Sequence, residues 1–174
     1  MYNRCTWLGA VILLLFGFLG YSFAGDRAGR PEVAPVENAL YRAECGSCHL
    51  AYPPGLLPSR SWDKLLSGLA DHFGENAEVP EETRLVLHGY LTSQGADQVD
   101  YRRSRKIAAS IPAQEIPLRI SDTPYFRHEH GEQRVVKVAK TGQQVALSRC
   151  ELCHPRAEQG SFQEHELRLP SGGH

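Results

Sequence analysis

The sequence predicts a mainly α protein in two parts, a helical region over residues 36–109 and a smaller, largely irregular region over residues 110–174. Three observations carry that expectation. Apolar residues recur at helical spacing through the first region, most clearly in Trp62, Leu65, Leu66, Leu69, His72 and Phe73. Pro112, Pro117 and Pro124 break up any such period in the second. Each region also carries one copy of a shared pentapeptide pattern, Cys45-Gly46-Ser47-Cys48-His49 and Cys150-Glu151-Leu152-Cys153-His154.

Residues 1–24 read as a secretory signal. Arg4 supplies a positive start, Trp7 to Gly20 is almost wholly apolar, and Ser22-Phe23-Ala24 offers the small residues a signal peptidase reads. Cleavage is expected between Ala24 and Gly25, which places the protein in the periplasm. An uncleaved anchor is the alternative, since Leu8 to Ala24 is just long enough to span a bilayer. Residues 25–35, polar and holding Pro31 and Pro35, read as a flexible lead-in.

Val36, Leu40 and Ala43 predict a short helix over residues 36–48 that ends in the first motif. Tyr52-Pro53-Pro54-Gly55 and Pro58 force a loop. Ser59 or Ser61 then caps a second helix whose apolar face runs to His72 and Phe73, with Gly74 closing it. Pro80, Glu81 and Glu82 open a third, with Leu85, Val86, Leu87 and Leu91 as its apolar side and Gly95 as its end. Residues 97–109 form a further basic helix. Its Arg102, Arg103, Arg105 and Lys106 read as a solvated face before a docking patch. Beyond it, residues 111–133 read as extended or irregular chain, residues 135–138 as a short strand, and residues 141–153 as a helix carrying the second motif. Pro155 stops that helix, and residues 170–174 read as a frayed tail. The second part lacks the apolar residues for a core of its own.

C-x-x-C-H is the attachment pattern for c-type haem. Each cysteine sulfur adds to one porphyrin vinyl group, and the histidine that follows lies beneath the ring as proximal iron ligand. Cys45, Cys48, Cys150 and Cys153 are therefore the expected attachment residues of two covalent haem c groups, with His49 and His154 as proximal ligands. A structural zinc on two C-x-x-C knuckles, or a pair of redox dithiols, leaves unexplained why histidine follows both pairs.

Loss of residues 1–24 changes the inventory. It removes Cys5, leaving four cysteines, all within the motifs, so no disulfide framework remains. It also removes Met1, the chain's single methionine. If the irons are six-coordinate, nitrogen must then supply the far side, and bis-histidine ligation gives a lower potential than histidine with methionine. The formal net charge of −1 offers nothing to nucleic acid or to an acidic membrane surface.

Six of the eight histidines remain for the distal positions. His72, on its predicted apolar face beside Phe73, is the first choice for the first haem, although a lone histidine on such a face is usually a core residue. His88 is the rival, read as a partly exposed helix residue. For the second haem, His128 and His130 are even candidates, because alternate residues of extended chain point opposite ways. His165 stands third. Tyr125 and Phe126 read as packing against porphyrin edges or as ordinary buried aromatics.

The order of C-x-x-C-H, Leu57-Pro58-Ser59-Arg60-Ser61-Trp62, Asp71-His72-Phe73-Gly74, Thr123-Pro124, a histidine-bearing segment and a second C-x-x-C-H resembles the bacterial dihaem cytochrome c family over about residues 36–165. The resemblance implies a cytochrome-c-like first domain joined to a second haem-binding region with little regular structure, and two bis-histidine haems. It implies His72 as the first distal ligand and matches His130 best to the second. His128 makes a doublet where the family pattern has one histidine. It further implies redox partners, a membrane b-type cytochrome and a small oxygen-binding cytochrome.

Electron transfer is the favoured function, because two saturated irons leave only a change of oxidation state. Arg60, Arg102 and Arg103 could stabilise ferrous haem or its propionates, although ordinary surface charge is the plainer reading. A small haem enzyme, a peroxidase or nitrogen-oxide reductase, is the alternative. It requires one open or labile iron, with Arg127 and Glu129 as distal groups should both His128 and His130 miss the second iron. A haem-based sensor ranks lower, since no signalling domain accompanies the motifs.

Overall fold

The computed structural model describes residues 30–132, 135–137, 142 and 144–169. The expected export signal and the C-terminal tail lie outside these residues. Among the described residues the fold is mainly helical, with five α-helices, several 3₁₀ turns and one two-stranded antiparallel sheet.

Helix α1 (Ala39–Cys45) is shorter at both ends than its apolar spacing predicts. The side chain of Asn38 accepts the Tyr41 amide at 2.9 Å and so begins the helix there. Gly46 ends it before the motif is complete. Helix α2 (Ser59–Leu66) begins after Pro58, and Ser59 is its first helical residue rather than its cap. The cap comes from far along the chain: the Ser59 amide donates to Asp97 Oδ1 at 2.7 Å. The expected continuation of this helix through His72 does not form. Ser67 and Gly68, both poor helix residues, end it, and a 3₁₀ turn (Leu69–Asp71) carries the chain onward. The apolar period persisted in the sequence because a 3₁₀ turn repeats at nearly the same spacing.

Helix α3 (Glu81–Ser93) has its acids in the first turn, as expected. Leu87 and Leu91 are buried, but Leu85 and Val86 are 57% and 55% exposed and belong to the outer face. Helix α4 (Arg102–Ser110) begins five residues later than predicted. Residues 124–130, expected to be extended, form helix α5 (Pro124–His130). Thr123 caps it, its Oγ1 accepting the Phe126 amide at 3.2 Å, and Pro124 fits the first turn, where its missing N–H costs nothing. Gly131, at φ +79°, stops it.

Among the described residues, 144–153 do not form the helix predicted over residues 141–153. Strand β1 (Val135–Lys137) pairs with β2 (Gln144–Ala146), Val136 opposite Val145, and only a 3₁₀ turn (Cys150–Leu152) carries the second motif. Pairing with β1 satisfies backbone groups that the local sequence alone would have placed in a helix.

Two apolar clusters hold the fold. Tyr41, Leu57, Trp62, Leu66, Leu87 and Leu91 form one, in which the Trp62 indole N–H donates to the Pro54 carbonyl at 2.8 Å. Val33, Leu56, Ile107, Ile111, Ala157 and Phe162 form the other. Each fully buried aliphatic side chain of this size stabilises by about 1.5–3 kcal/mol. The second cluster joins residues from both sides of the predicted 109/110 boundary, so the C-terminal part borrows its core.

Residues 31–35 are not a flexible lead-in. Glu32 and Val33 are buried, and both amides donate to the Gly160 carbonyl, at 2.8 and 3.2 Å.

Candidate functional site

The first motif leaves α1 through Gly46, which places His49 against the loop that follows. The imidazole Nδ1 lies 2.8 Å from the Leu50 carbonyl. A carbonyl only accepts, so Nδ1 carries the proton and Nε2 keeps its lone pair. One face of the ring stacks on Tyr52, with centroids 4.9 Å apart. The His72 ring centre stands 6.3 Å away, with the two imidazole planes inclined by 25°.

His72 reaches this position from a tight hairpin, not from a helix face. Its amide donates to the Glu75 carbonyl at 2.7 Å, and the Asp71 carboxylate accepts the Gly74 amide at 2.9 Å. Phe73 occupies the left-handed region at φ +60°, which is uncommon for a residue with a Cβ. Arg119 lies over its ring at 3.6 Å from the centroid. Burial lowers the pKa of His72, with the nearby His49 and Arg119 adding to the effect, so the ring is neutral near pH 7 and its lone pair is free.

The second site repeats the arrangement with different parts. His154 follows the 3₁₀ turn of the second motif, its amide donating to the Cys150 carbonyl at 2.7 Å. Its ring centre is 6.1 Å from that of His130, with the planes inclined by 72°. His130 is the last residue of α5. Its ring stacks on Phe126 at 4.1 Å, and its Nδ1 lies 3.2 Å from the Phe126 carbonyl, which again leaves Nε2 for a metal. Phe162 tilts against His154 at 5.2 Å. Burial, then His130 and Arg103, push the His154 pKa down to about 4. Burial likewise lowers that of His130.

The other described histidines stand elsewhere. His128 is exposed on α5, about 200° around the axis from His130. The helix thus separates the doublet as an extended chain would have done, by a different geometry. His88 is half-exposed on α3, with Nε2 2.8 Å from Asp63 Oδ1. His165 is exposed in the last 3₁₀ turn.

None of the four motif cysteines forms a disulfide. Burial, with Glu44 adding to it, pushes the Cys45 thiol up to about 11. Burial and Glu151 push Cys150 up to about 12. Among the described residues no three His, Cys, Asp or Glu side chains converge as a zinc knuckle requires. The imidazole pairs, in contrast, fit a single metal between two rings. With metal–nitrogen bonds of about 2.0–2.1 Å and the nitrogen about 1.1 Å from its ring centre, trans imidazoles stand about 6.3 Å apart.

The sequence profile of the dihaem cytochrome c family matches residues 41–162, from within α1 to just beyond the second motif. The chain belongs to the dihaem cytochrome c family. Among solved structures, the diheme cytochrome c from Rhodobacter sphaeroides is 36% identical, covers 75% of this chain and all of its own, and superposes with a TM-score of 0.64. The diheme cytochrome from Shewanella baltica is 31% identical, covers 78% of this chain and 95% of its own, with a TM-score of 0.59. No curated protein sequence matches the chain.

As a dihaem cytochrome the chain carries two covalently bound haem c groups. The family is one of electron-transfer proteins with redox partners. Among the described residues no helix is long and apolar enough to cross a membrane.

Three residues around these haem sites escaped the sequence reading. Tyr52 was read only as the start of a proline-forced loop, yet it links the motifs, donating to the Ser148 carbonyl at 2.6 Å. Glu32 sat in a segment read as flexible. Phe162 lay beyond the second motif with no periodic neighbour. Nothing local marks any of the three. The arginines were read largely as surface charge, which holds for Arg102 but not for Arg103, whose side chain is only 16% exposed. Arg60 ties loops together instead, donating to the carbonyls of Glu115 at 2.8 Å and Pro112 at 3.2 Å.

Proposed function

We propose that this dihaem cytochrome relays electrons between exported redox proteins through two bis-histidine haems. His49 and His72 would bind the first iron, and His154 and His130 the second. The observation that carries this reading is the spacing of the two imidazole pairs, 6.3 and 6.1 Å between ring centres. Both match what one iron between two rings requires.

The haem irons supply a one-electron change of oxidation state. The chain's own residues do the rest. Cys45, Cys48, Cys150 and Cys153 tether, and four imidazoles close the coordination spheres. The Leu50 and Phe126 carbonyls fix which nitrogen of His49 and His130 is free to bind. With methionine absent after residue 1, this ligand set favours a low potential. With both coordination spheres closed, neither iron offers a place for substrate, which supports a carrier over a peroxidase or reductase.

Export to the periplasm fits the signal-like residues 1–24 and the covalent haem. A membrane b-type cytochrome as donor and a small oxygen-binding cytochrome as acceptor are the partners the family resemblance favours.

Optical spectra of the purified holoprotein test the reading. Low-spin bands in both oxidation states, unchanged by carbon monoxide, are expected. A carbon monoxide complex on either haem would move the protein to the enzyme reading. The mass of the mature chain, short by residues 1–24 and heavier by two haems, tests export.

A further inference from the structure

Arg103, whose side chain is 16% exposed, lies near the second imidazole pair and is held by three residues. Its guanidinium donates to Tyr125 Oη at 2.9 Å, to Glu32 Oε2 at 2.9 Å and to the Phe162 carbonyl at 3.3 Å. Its carbon lies 5.6 Å from the ring centres of both Tyr125 and Phe162. Tyr125 belongs to α5, the helix that ends in His130, and Phe162 packs on His154. Arg103 therefore spans the two elements that present the histidines. Through Phe162 its charge lies no more than about 11 Å from the His154 ring centre.

Glu32 fixes the guanidinium in place. It is 3% exposed, pairs with Arg102 as well as Arg103, and accepts the Phe162 amide at 3.2 Å. Arg102, 62% exposed, and Arg103, 16% exposed, both face the one Glu32 carboxylate, which leaves the cluster one positive charge in excess.

We propose that Arg103 is a positioning residue for the second haem, joining the elements that carry His130 and His154 and raising that haem's reduction potential. The inference rests on the ligation proposed above. Reduction takes one electron from a donor protein and lowers the charge at the iron by one, ferric to ferrous, with no bond made or broken. A fixed cation nearby favours the product of that step. In the intermediate dielectric of a protein interior, a unit charge at this range is worth about a tenfold change in the equilibrium, or about 59 mV for one electron.

Spectroelectrochemical titration of the holoprotein tests this, with the second haem's step assigned through a His130→Ala variant. Arg103→Gln is expected to shift that step about tenfold toward the oxidised form and to leave the first haem's step in place. Arg103→Lys, which keeps the charge, is expected to stay close to the parent. Glu32→Gln, which removes the opposing charge, is expected to shift the same step the other way. A merely structural role would not reverse sign between these variants. Equal shifts in Arg103→Gln and Arg103→Lys, shifts of one sign in Arg103→Gln and Glu32→Gln, or no shift while the haem stays low-spin would overturn the proposal. A high-spin second haem in the unsubstituted protein would instead overturn the ligation itself.

Discussion

The hydroxyl of Tyr52 donates to the carbonyl of Ser148 at 2.6 Å, across 96 residues of sequence. The same ring stacks on His49. One side chain thus touches the histidine of the first motif and the approach to the second, two residues before Cys150. Burial raises the Tyr52 pKa, so the phenol remains a donor throughout the working pH range. Tyr52→Phe keeps the stack and removes the hydrogen bond, which should cost about 0.5–1.5 kcal/mol in chemical denaturation of the holoprotein. Tyr52→Leu loses the stack as well and should cost more. Equal stability of Tyr52→Phe and the parent would show that the bond contributes nothing.

Single alanine substitutions separate ligands from bystanders. His72→Ala and His130→Ala should each convert one haem, and only one, to a high-spin form that binds carbon monoxide. His128→Ala and His88→Ala should leave both haems low-spin. His128 lies about 200° around α5 from His130, and His88 is engaged with Asp63 of α2. A low-spin His130→Ala protein would reassign the second ligand.

The sequence made the chemistry plain and the geometry only in part. The two motifs named the attachment residues outright, because two thioethers and a ligand demand that spacing. His72 was singled out from an apolar helical period, yet the helix ends at Leu66 and a hairpin brings its ring to 6.3 Å from that of His49. Helix α5 was missed because three prolines in residues 111–133 outweighed Thr123-Pro124, which is a helix start when read as a cap followed by a first-turn proline. Strand β2 and the burial of Glu32 depend on partners far away in sequence, and no local pattern encodes them.

Acid sensitivity should centre on Asp97. Its carboxylate caps α2 from 38 residues away, accepting the Ser59 amide at 2.7 Å and the Ser59 hydroxyl at 3.0 Å. Partial burial raises the pKa of this group, but the bonds from Ser59, its own backbone and Gln98 together outweigh it and the net shift is downward. A depressed carboxyl pKa gives stability that is present above the unfolded value, about pH 4, and is lost as pH falls through the folded value. Asp97→Asn should therefore lose stability at neutral pH, by about 0.5–2 kcal/mol as for other caps, and flatten the acid limb of the stability curve. Thermal unfolding of holoprotein between pH 7 and 3 measures both, and an unchanged acid limb would place the sensitivity elsewhere.

Gly160 should be the least replaceable glycine of the second site. It sits at φ +74°, and a Cβ there would stand 2.2 Å from the Val33 carbonyl oxygen and 3.1 Å from its carbon. Those are backbone atoms, which cannot rotate aside. Its own carbonyl accepts the amides of Glu32 and Val33, so any shift also strains the contact that buries Glu32 beneath Arg103. The left-handed backbone alone costs an alanine about 1–2 kcal/mol. Gly142 offers the comparison, at φ +68° with its nearest neighbour, Lys137 Cε, 3.7 Å away. Gly142→Ala should show the backbone cost alone. Gly160→Ala should exceed it by at least about 1–3 kcal/mol, the usual penalty for overpacking, in denaturant unfolding followed at the haem absorbance. Equal losses at the two positions would mean that residues 31–35 can separate from the second motif at no cost, and that Glu32 does not anchor it.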